Sequence, residues 1–415
     1  MELKKYKLYE IADLNKNSIS NSDNTFSEII YLDTSSITEN VISATCVVAT
    51  HEAPSRAQRR VEKNTILYST VRPRLKHYGI LSSPETNLIV STGFVTIDVK
   101  SEFLNSVDAR FLFLLLTQPH ITAYIATIAD SAVSAYPSFN PSDISALEFE
   151  FPEMNIQKHI ADIWEHYDRK IGLNRQINDN LEAMAKQLYD YWFVQFDFPN
   201  DEGKPYKSSG GAMVWNEKLK REIPQGWGTQ NLADCLKLKT ERVNSKDIKD
   251  TDNYTPIEVI PRKQMSLHET VALENAMSGI CRYSRRNILL SNRRVYFHKV
   301  CIAPFDGLTR DTVLVLEPYN SGNLGYLYET VFADEFILFA TKHSYGSEQP
   351  VLSWTAAQKF NVLRPSNSID KKYSEIVDSI IESVLNNQIE IIKLTKQRDE
   401  LLPLLMNGQA TVNSN

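Results

Sequence analysis

The sequence is poor in the features that mark most specialised chemistries. Its 415 residues include only 4 cysteines, Cys46, Cys235, Cys281 and Cys301, and no two of them form a C-x-x-C pair. That usage suits neither a disulfide-stapled secreted domain nor a thiolate zinc cage, and it fits a reducing cytoplasm. The longest unbroken apolar run, Phe111–Leu116, falls far short of the about 20 residues a bilayer-spanning helix needs. Met1-Glu2-Leu3-Lys4-Lys5-Tyr6 is not followed by the apolar stretch of a secretion signal. A cytoplasmic protein without a membrane span is therefore expected.

Catalytic motifs are missing too. There is no G-x-x-x-x-G-K-[ST] loop to cradle phosphates, and no glycine-rich turn that would open a dinucleotide site. The 8 histidines form no H-x-x-x-H or H-E-x-x-H pair. Phe139-Asn140-Pro141 begins like the Asn-Pro-Pro-aromatic loop of adenine methyltransferases. Ser142 stands where the second proline belongs, so we read the segment as a turn. No catalytic residue and no metal ligand is assigned in this chain.

What is present is an ordinary globular composition, 42% hydrophobic and 23% charged. At about 150 residues per domain the length predicts two or three domains. The net charge is −6, which alone argues against a polyanionic partner. The charge is uneven, however, and a nucleic acid responds to the field near the contact surface. From Arg56 to Lys76 stand Arg56, Arg59, Arg60, Lys63, Arg72, Arg74 and Lys76 against a single acid, Glu62. From Arg282 to Lys299 stand Arg282, Arg285, Arg286, Arg293, Arg294 and Lys299 with no acid. Runs like these are often plain solvated surface; two of them in an acidic chain also fit two anion-binding faces.

The chain is also written twice. Ile66-Leu67-Tyr68-Ser69-x-x-Arg72 matches Ile288-Leu289-Leu290-Ser291-x-x-Arg294 at an offset of 222, which superimposes the two basic islands. Further on the offset is 213, matching Pro137 with Pro350, Pro152 with Pro365, Asn174 with Asn387, Leu181 with Leu394 and Leu188 with Leu401. Repeats of this kind set the architecture. Each copy begins with a mixed segment of short β-branched and aromatic runs broken by turn residues, which reads as α+β. Each ends in a long helix starting just after Pro152 or Pro365. A 4-3 spacing of apolar residues persists for over four heptads in both, the mark of helices that pair lengthwise. Asn174, Leu181 and Leu188 on one helix and Asn387, Leu394 and Leu401 on the other are the candidate pairing residues. An amide buried in such a seam needs a partner, so the two asparagines favour one register.

Two similar modules with basic loops, joined by a stiff rod, suit duplex DNA met at two separated places. Arginine and lysine neutralise phosphates, and arginine can bond bidentately to guanine. The candidate DNA-binding residues are Arg56, Arg59, Arg60, Arg72, Arg74 and Lys76 in the first copy, and Arg282, Arg285, Arg286, Arg293, Arg294 and Lys299 in the second.

Three motifs carry a family resemblance. They are Met184-Ala185-Lys186-Gln187-Leu188-Tyr189-Asp190-Tyr191-Trp192-Phe193-Val194-Gln195-Phe196-Asp197-Phe198-Pro199, then Lys220-Arg221-Glu222-Ile223-Pro224-Gln225-Gly226-Trp227, then Gln397-Arg398-Asp399-Glu400-Leu401-Leu402-Pro403-Leu404-Leu405-Met406-Asn407-Gly408. In these the chain resembles the specificity subunits of type I restriction-modification systems. The resemblance implies an α+β fold with two similar target recognition domains, joined by two long antiparallel coiled-coil spacer helices in a pseudo-two-fold internal repeat. It implies recognition domains at 1–152 and 223–365, spacer helices at 153–196 and 366–410, a connecting segment at 197–222 and a tail at 411–415. It further implies double-stranded DNA, two modification subunits and two restriction subunits as partners. S-adenosylmethionine, ATP and Mg would sit in those subunits and none in this chain. The family often has Glu-Gln after a proline pair before its first spacer helix; here Gln157 is kept and Asp370 stands at the matching place in the second copy. Two other readings remain beside this one: a scaffold that no longer reads DNA, and a fused single-chain enzyme, against which the missing motifs speak.

Overall fold

A computed structural model describes residues 3–19, 25–131, 136–244, 248–249, 253–273 and 279–406. The 411–415 tail and positions 407–410 of the C-terminal helix read from sequence lie outside the described residues. The chain falls into two compact units, residues 1–169 with 398–415, and residues 170–397. The boundary therefore runs through both long helices, Met154–Tyr189 and Asn367–Met406, and not at their ends.

The first unit is centred on an antiparallel sheet in the order Ala12–Leu14, Phe94–Val99, Thr65–Ser69, Tyr78–Leu81. The second unit repeats that order with Leu236–Leu238, Val313–Pro318, Ile288–Ser291 and Val300–Ile302. The register repeats as well: Ile66 pairs with Ile97 and Ile80, and Ile288 with Leu316 and Ile302. In both units the chain's entry strand pairs with the strand before the long helix, Lys4–Lys7 with Glu148–Phe151 and Gly228–Asn231 with Asn361–Arg364. The internal duplication read from sequence is thus a duplication of fold.

The central strands are apolar throughout because both of their faces are covered. Successive side chains point to opposite faces. Ile66 and Tyr68 enter the helical core with Phe111, Phe151 and Trp164, whereas Leu67 packs behind the sheet on Leu32 and Val90. Likewise Ile288 and Leu290 join Tyr326, Tyr373 and Val377, and Leu289 joins Cys301 and Val315. Leu32 and Val90 belong to a second sheet that the first unit adds, ordered Cys46–Ala49, Glu28–Leu32, Leu88–Ser91, Ala57–Arg60.

The helices start where the prolines place them, and Pro403 is carried inside the second one. After Tyr189 the first helix loosens into a π-turn, Asp190–Val194. Within the second unit the two run antiparallel. Asn387 Nδ2 donates to Asn178 Oδ1 at 2.9 Å, and Asn174 Nδ2 donates to Glu390 Oε2 at 2.9 Å. The amide partner of Asn387 is therefore Asn178, one turn along from the matching Asn174, because antiparallel helices pair positions that rise on one and fall on the other. Leu394 is buried in this seam, with Leu181 and Leu188 half-buried against the unit's core. Leu401 packs half-buried in the first unit's core, beside fully enclosed Leu405. Asn140, read as part of a turn, heads the short helix Pro141–Ser145, and its N–H donates to Asp143. No single helix among the described residues is long and apolar enough to cross a membrane.

Candidate nucleic-acid interface

Each unit builds the same loop. The chain leaves a core strand, makes a 3-10 turn (Pro73–Leu75; Val295–Phe297), and returns to the sheet. Arg72 and Arg294 enter these turns in the left-handed region, with φ of 49° and 47°. Lys76 and His298 leave them the same way, both at φ 55°. A side chain there costs about 1–3 kcal/mol of backbone strain, so the surroundings must hold it. They do so identically. The Arg72 N–H donates to Pro137 O and the Arg294 N–H to Pro350 O, each at 2.8 Å. Their carbonyls accept from the N–H groups of Leu75 and Phe297, each at 2.9 Å. Ser69 Oγ donates to Val71 O at 3.0 Å, and Ser291 Oγ to Arg293 O at 2.9 Å. The matched prolines 137 and 350 are thus the acceptors that fix the matched arginines.

The two guanidinium groups differ in surroundings. Arg72 is exposed and lies 5.1 Å over the ring of Tyr136, itself exposed. Arg294 is half-buried, 5.9 Å from the Phe297 ring, with Nη2 3.4 Å from Glu348 O. Each is a planar fork on a strained but well-tied frame, suited to a phosphate or to paired acceptors on a base edge.

The other basic positions divide by partner. Arg56 and Arg60 are exposed around the strand Ala57–Arg60, which lies at the edge of the added sheet, and Arg60 lies 5.7 Å from the Phe26 ring. Arg59 is half-buried; burial draws its pKa down, and its Nε has no partner. Arg74 pairs with Asp130 at 2.7 Å and Lys76 with Glu39. In the second unit Arg293 is exposed, and Arg282 lies 3.7 Å from Glu241. Arg285 is held by Glu382 at 2.7 Å and by Asn386 at 3.0 Å, and Arg286 by Asp378 at 3.2 Å and by Glu382. Lys299 donates to the carbonyls of Ile257 and Glu258, and burial lowers its pKa. Arg285 and Arg286 thus tie the sheet to the second long helix, and Lys299 ties down a loop.

Sequence reading missed the counterpart of that tie in the first unit. Arg110 is bound by Asp108 at 3.0 Å, Asp162 at 2.7 Å and Glu165 at 2.8 Å. These hydrogen bonds hold its guanidinium well above the ordinary arginine range, that to Asp108 most of all. The i,i+2 Asp108–Arg110 pair was the one local signal. Beside it Gln157 is fully buried, accepting from the Asp108 N–H at 2.9 Å and donating to Ser106 O and Pro152 O. Its match, Asp370, has a pKa raised by burial. On the second unit's helices Met184, Leu188, Tyr191, Ile376 and Ile380 line an open apolar groove.

Residues 1–183 match the family described as type I restriction modification DNA specificity domain. The chain is 25% identical to the type I restriction enzyme HindI specificity subunit of Haemophilus influenzae, covering 97% of this chain and 99% of that one. It is 25% identical to the type I restriction enzyme MjaIX specificity subunit of Methanocaldococcus jannaschii, covering 84% and 78%. In fold it resembles the S subunit of a type I restriction-modification system from M. genitalium, with a TM-score of 0.57 and 15% identity over 98% of this chain and 96% of that one.

Proposed function

From its similarity to type I restriction-modification specificity subunits, we propose that this chain reads the DNA target for such a complex. Residues 1–152 and 223–365 each read one half of a bipartite duplex sequence, segments 153–196 and 366–410 act as spacers, and 197–222 connects them. The observation that carries this reading is the duplicated loop, which presents one arginine, Arg72 or Arg294, from the same tied frame in each copy. We assign Arg293, Arg56 and Arg60, which are exposed, to the DNA-facing side together with those forks, and Arg74, Lys76, Arg59 and Arg282 as further contributors of positive charge. Arg285, Arg286 and Lys299 serve by holding the frame.

The chain contributes address and scaffold. Adenine-N6 methylation with S-adenosylmethionine, and ATP- and Mg-dependent translocation and cleavage, belong to two modification and two restriction subunits. The target adenine, turned out of the duplex, enters a modification-subunit pocket. The apolar groove of Met184, Leu188, Tyr191, Ile376 and Ile380 suits a helix of a modification subunit laid against it. The assembly works in the cytoplasm.

The test is genome-wide mapping of N6-methyladenine in the host with and without this gene. One split motif, methylated only when the gene is present, is the expected outcome; an unchanged pattern overturns the reading. A mobility-shift selection on randomised duplexes with the modification subunit separates a DNA reader, which enriches a split motif, from a scaffold, which enriches none.

A further inference from the structure

The first unit contains a cavity of about 230 Å³ that the second unit does not repeat in kind. Its walls are the rings of Tyr78, Phe113 and Trp164 together with Leu402 and Met406, and its rim is polar. The rings pack on one another, with centroids 6.0 Å apart for Tyr78 and Phe113 and 5.4 Å for Phe113 and Trp164. On the rim, Asn40 Nδ2 donates to Asp168 at 3.0 Å, and Arg398 lies 3.5 Å from Asp168 and 2.8 Å from Asp399.

Two donors are left over. Tyr78 and Trp164 are each only 7% exposed. Among the described residues neither the Tyr78 hydroxyl nor the Trp164 indole N–H has a hydrogen-bond partner. Burial raises the Tyr78 pKa, so the hydroxyl stays a neutral donor in the cavity wall. Both atoms are reached by solvent, so each is free to donate to a ligand held in the hollow.

The duplication supplies an internal control. The positions matching Tyr78, Phe113, Trp164 and Asp168 in the second copy are Val300, Tyr328, Val377 and Ile381. All four are buried in one apolar cluster, joined by Phe193 at the place of Met406. The second unit fills the site with the packed side chains of Val300, Tyr328, Val377 and Ile381. The first keeps it open, aromatic and donor-lined.

The size narrows the ligand. An apolar cavity of about 150 Å³ accepts benzene, so this one accommodates a bicyclic ring. Aromatic walls favour a flat π-system. Two donors require ring acceptors, which a purine offers and an indole does not. Three rim acids, Glu39, Asp168 and Asp399, outnumber the two rim cations, Lys76 and Arg398, which disfavours a polyphosphate tail. We propose that the Tyr78–Phe113–Trp164 cavity binds a purine base, either as a free nucleoside or as a base extruded from a duplex.

The probe is 2-aminopurine, whose fluorescence falls on stacking against aromatic rings. The full chain is titrated in one arm with 2-aminopurine riboside and in the other with a duplex containing 2-aminopurine opposite an abasic site. Saturable quenching in the first arm assigns a free nucleoside, and quenching confined to the second assigns an extruded base. Tyr78→Phe/Trp164→Phe keeps an aromatic ring at each position and removes both donors, and it should weaken the quenching arm at least tenfold. Tyr78→Phe alone, a milder change, should weaken it severalfold. No saturable quenching in either arm up to millimolar probe, or equal affinity in the double variant, overturns the proposal. The riboside arm needs no duplex, so its outcome is independent of whether the chain reads DNA.

Discussion

Arg72 and Arg294 share one strained, left-handed backbone at matching positions of the two copies, and the proposed DNA contact of their side chains can be tested directly. Replacing Arg72 or Arg294 with alanine should weaken target binding by about 1–3 kcal/mol if the fork reads a base. If it touches only phosphate, the loss should be uniform across sequences, with a shallower salt dependence. Equilibrium binding at several salt concentrations distinguishes the two, and unchanged affinity in both variants refutes the placement. A second residue-scale prediction concerns Glu329, 3% exposed, whose pKa is pushed up to about 8 by burial, with Lys186 opposing and Asp190 and Glu182 adding. Between the ordinary glutamate value of 4.5 and about 8 the folded chain holds the extra proton. Stability should therefore fall as pH rises through that window. Glu329→Gln should melt higher than the parent at pH 8 and with it at pH 5; parallel melting curves at both pH values would refute this. Arg72 and Arg294 were legible in sequence because the duplication aligns them. The inward role of Arg285 and Arg286 was not, because Asp378 and Glu382 lie far along the chain and no local pattern links them.

Among the elements, the long helices were the most readable, since a heptad seam shows in the order of apolar residues alone. Their register was less so. It depends on which amide meets which across an antiparallel pair, and the repeat aligned Asn174 with Asn387 whereas the fold joins Asn178 to Asn387. Asn178 also donates to Val384 O at 3.3 Å and is 5% exposed. Asn178→Leu should strand the Asn387 amide and cost about 1–3 kcal/mol. Asn178→Leu/Asn387→Leu should recover much of that loss, which thermal denaturation of the single and double variants would measure. The helices that carry the sheets differ between copies in a way composition could not reveal. Gly325 lets its helix approach the second long helix so closely that a Cβ would lie 2.6 Å from Val377 Cγ1. The matching position in the first copy is Arg110, which works by charge. Salt should therefore loosen the Arg110 tie more than the Gly325 contact, and amide exchange along 109–116 and 324–332 at low and high salt would measure it.

For the whole molecule, sequence revealed the doubled plan and its α+β character, and it missed the second sheet of the first copy and the boundary inside the helices. Both depend on pairings between segments far apart in the chain. If the helices set the gap between half-sites, seven residues inserted into the first should lengthen that gap by about three base pairs, from about 10 Å of added rise. Each half-site should stay unchanged. Methylation mapping of the variant would read the new gap, and an unaltered one would reject the spacer role. The burial of Leu405 in the core of the first unit has a consequence for synthesis. Residues 1–169 leave the ribosome first, but the strand of chain that seals them comes last. At about 5–20 residues per second, making residues 170–397 takes about 10–45 s. For that interval the nascent first half stands with its hydrophobic seat empty, a client for chaperones, while the later-made half is completed before it.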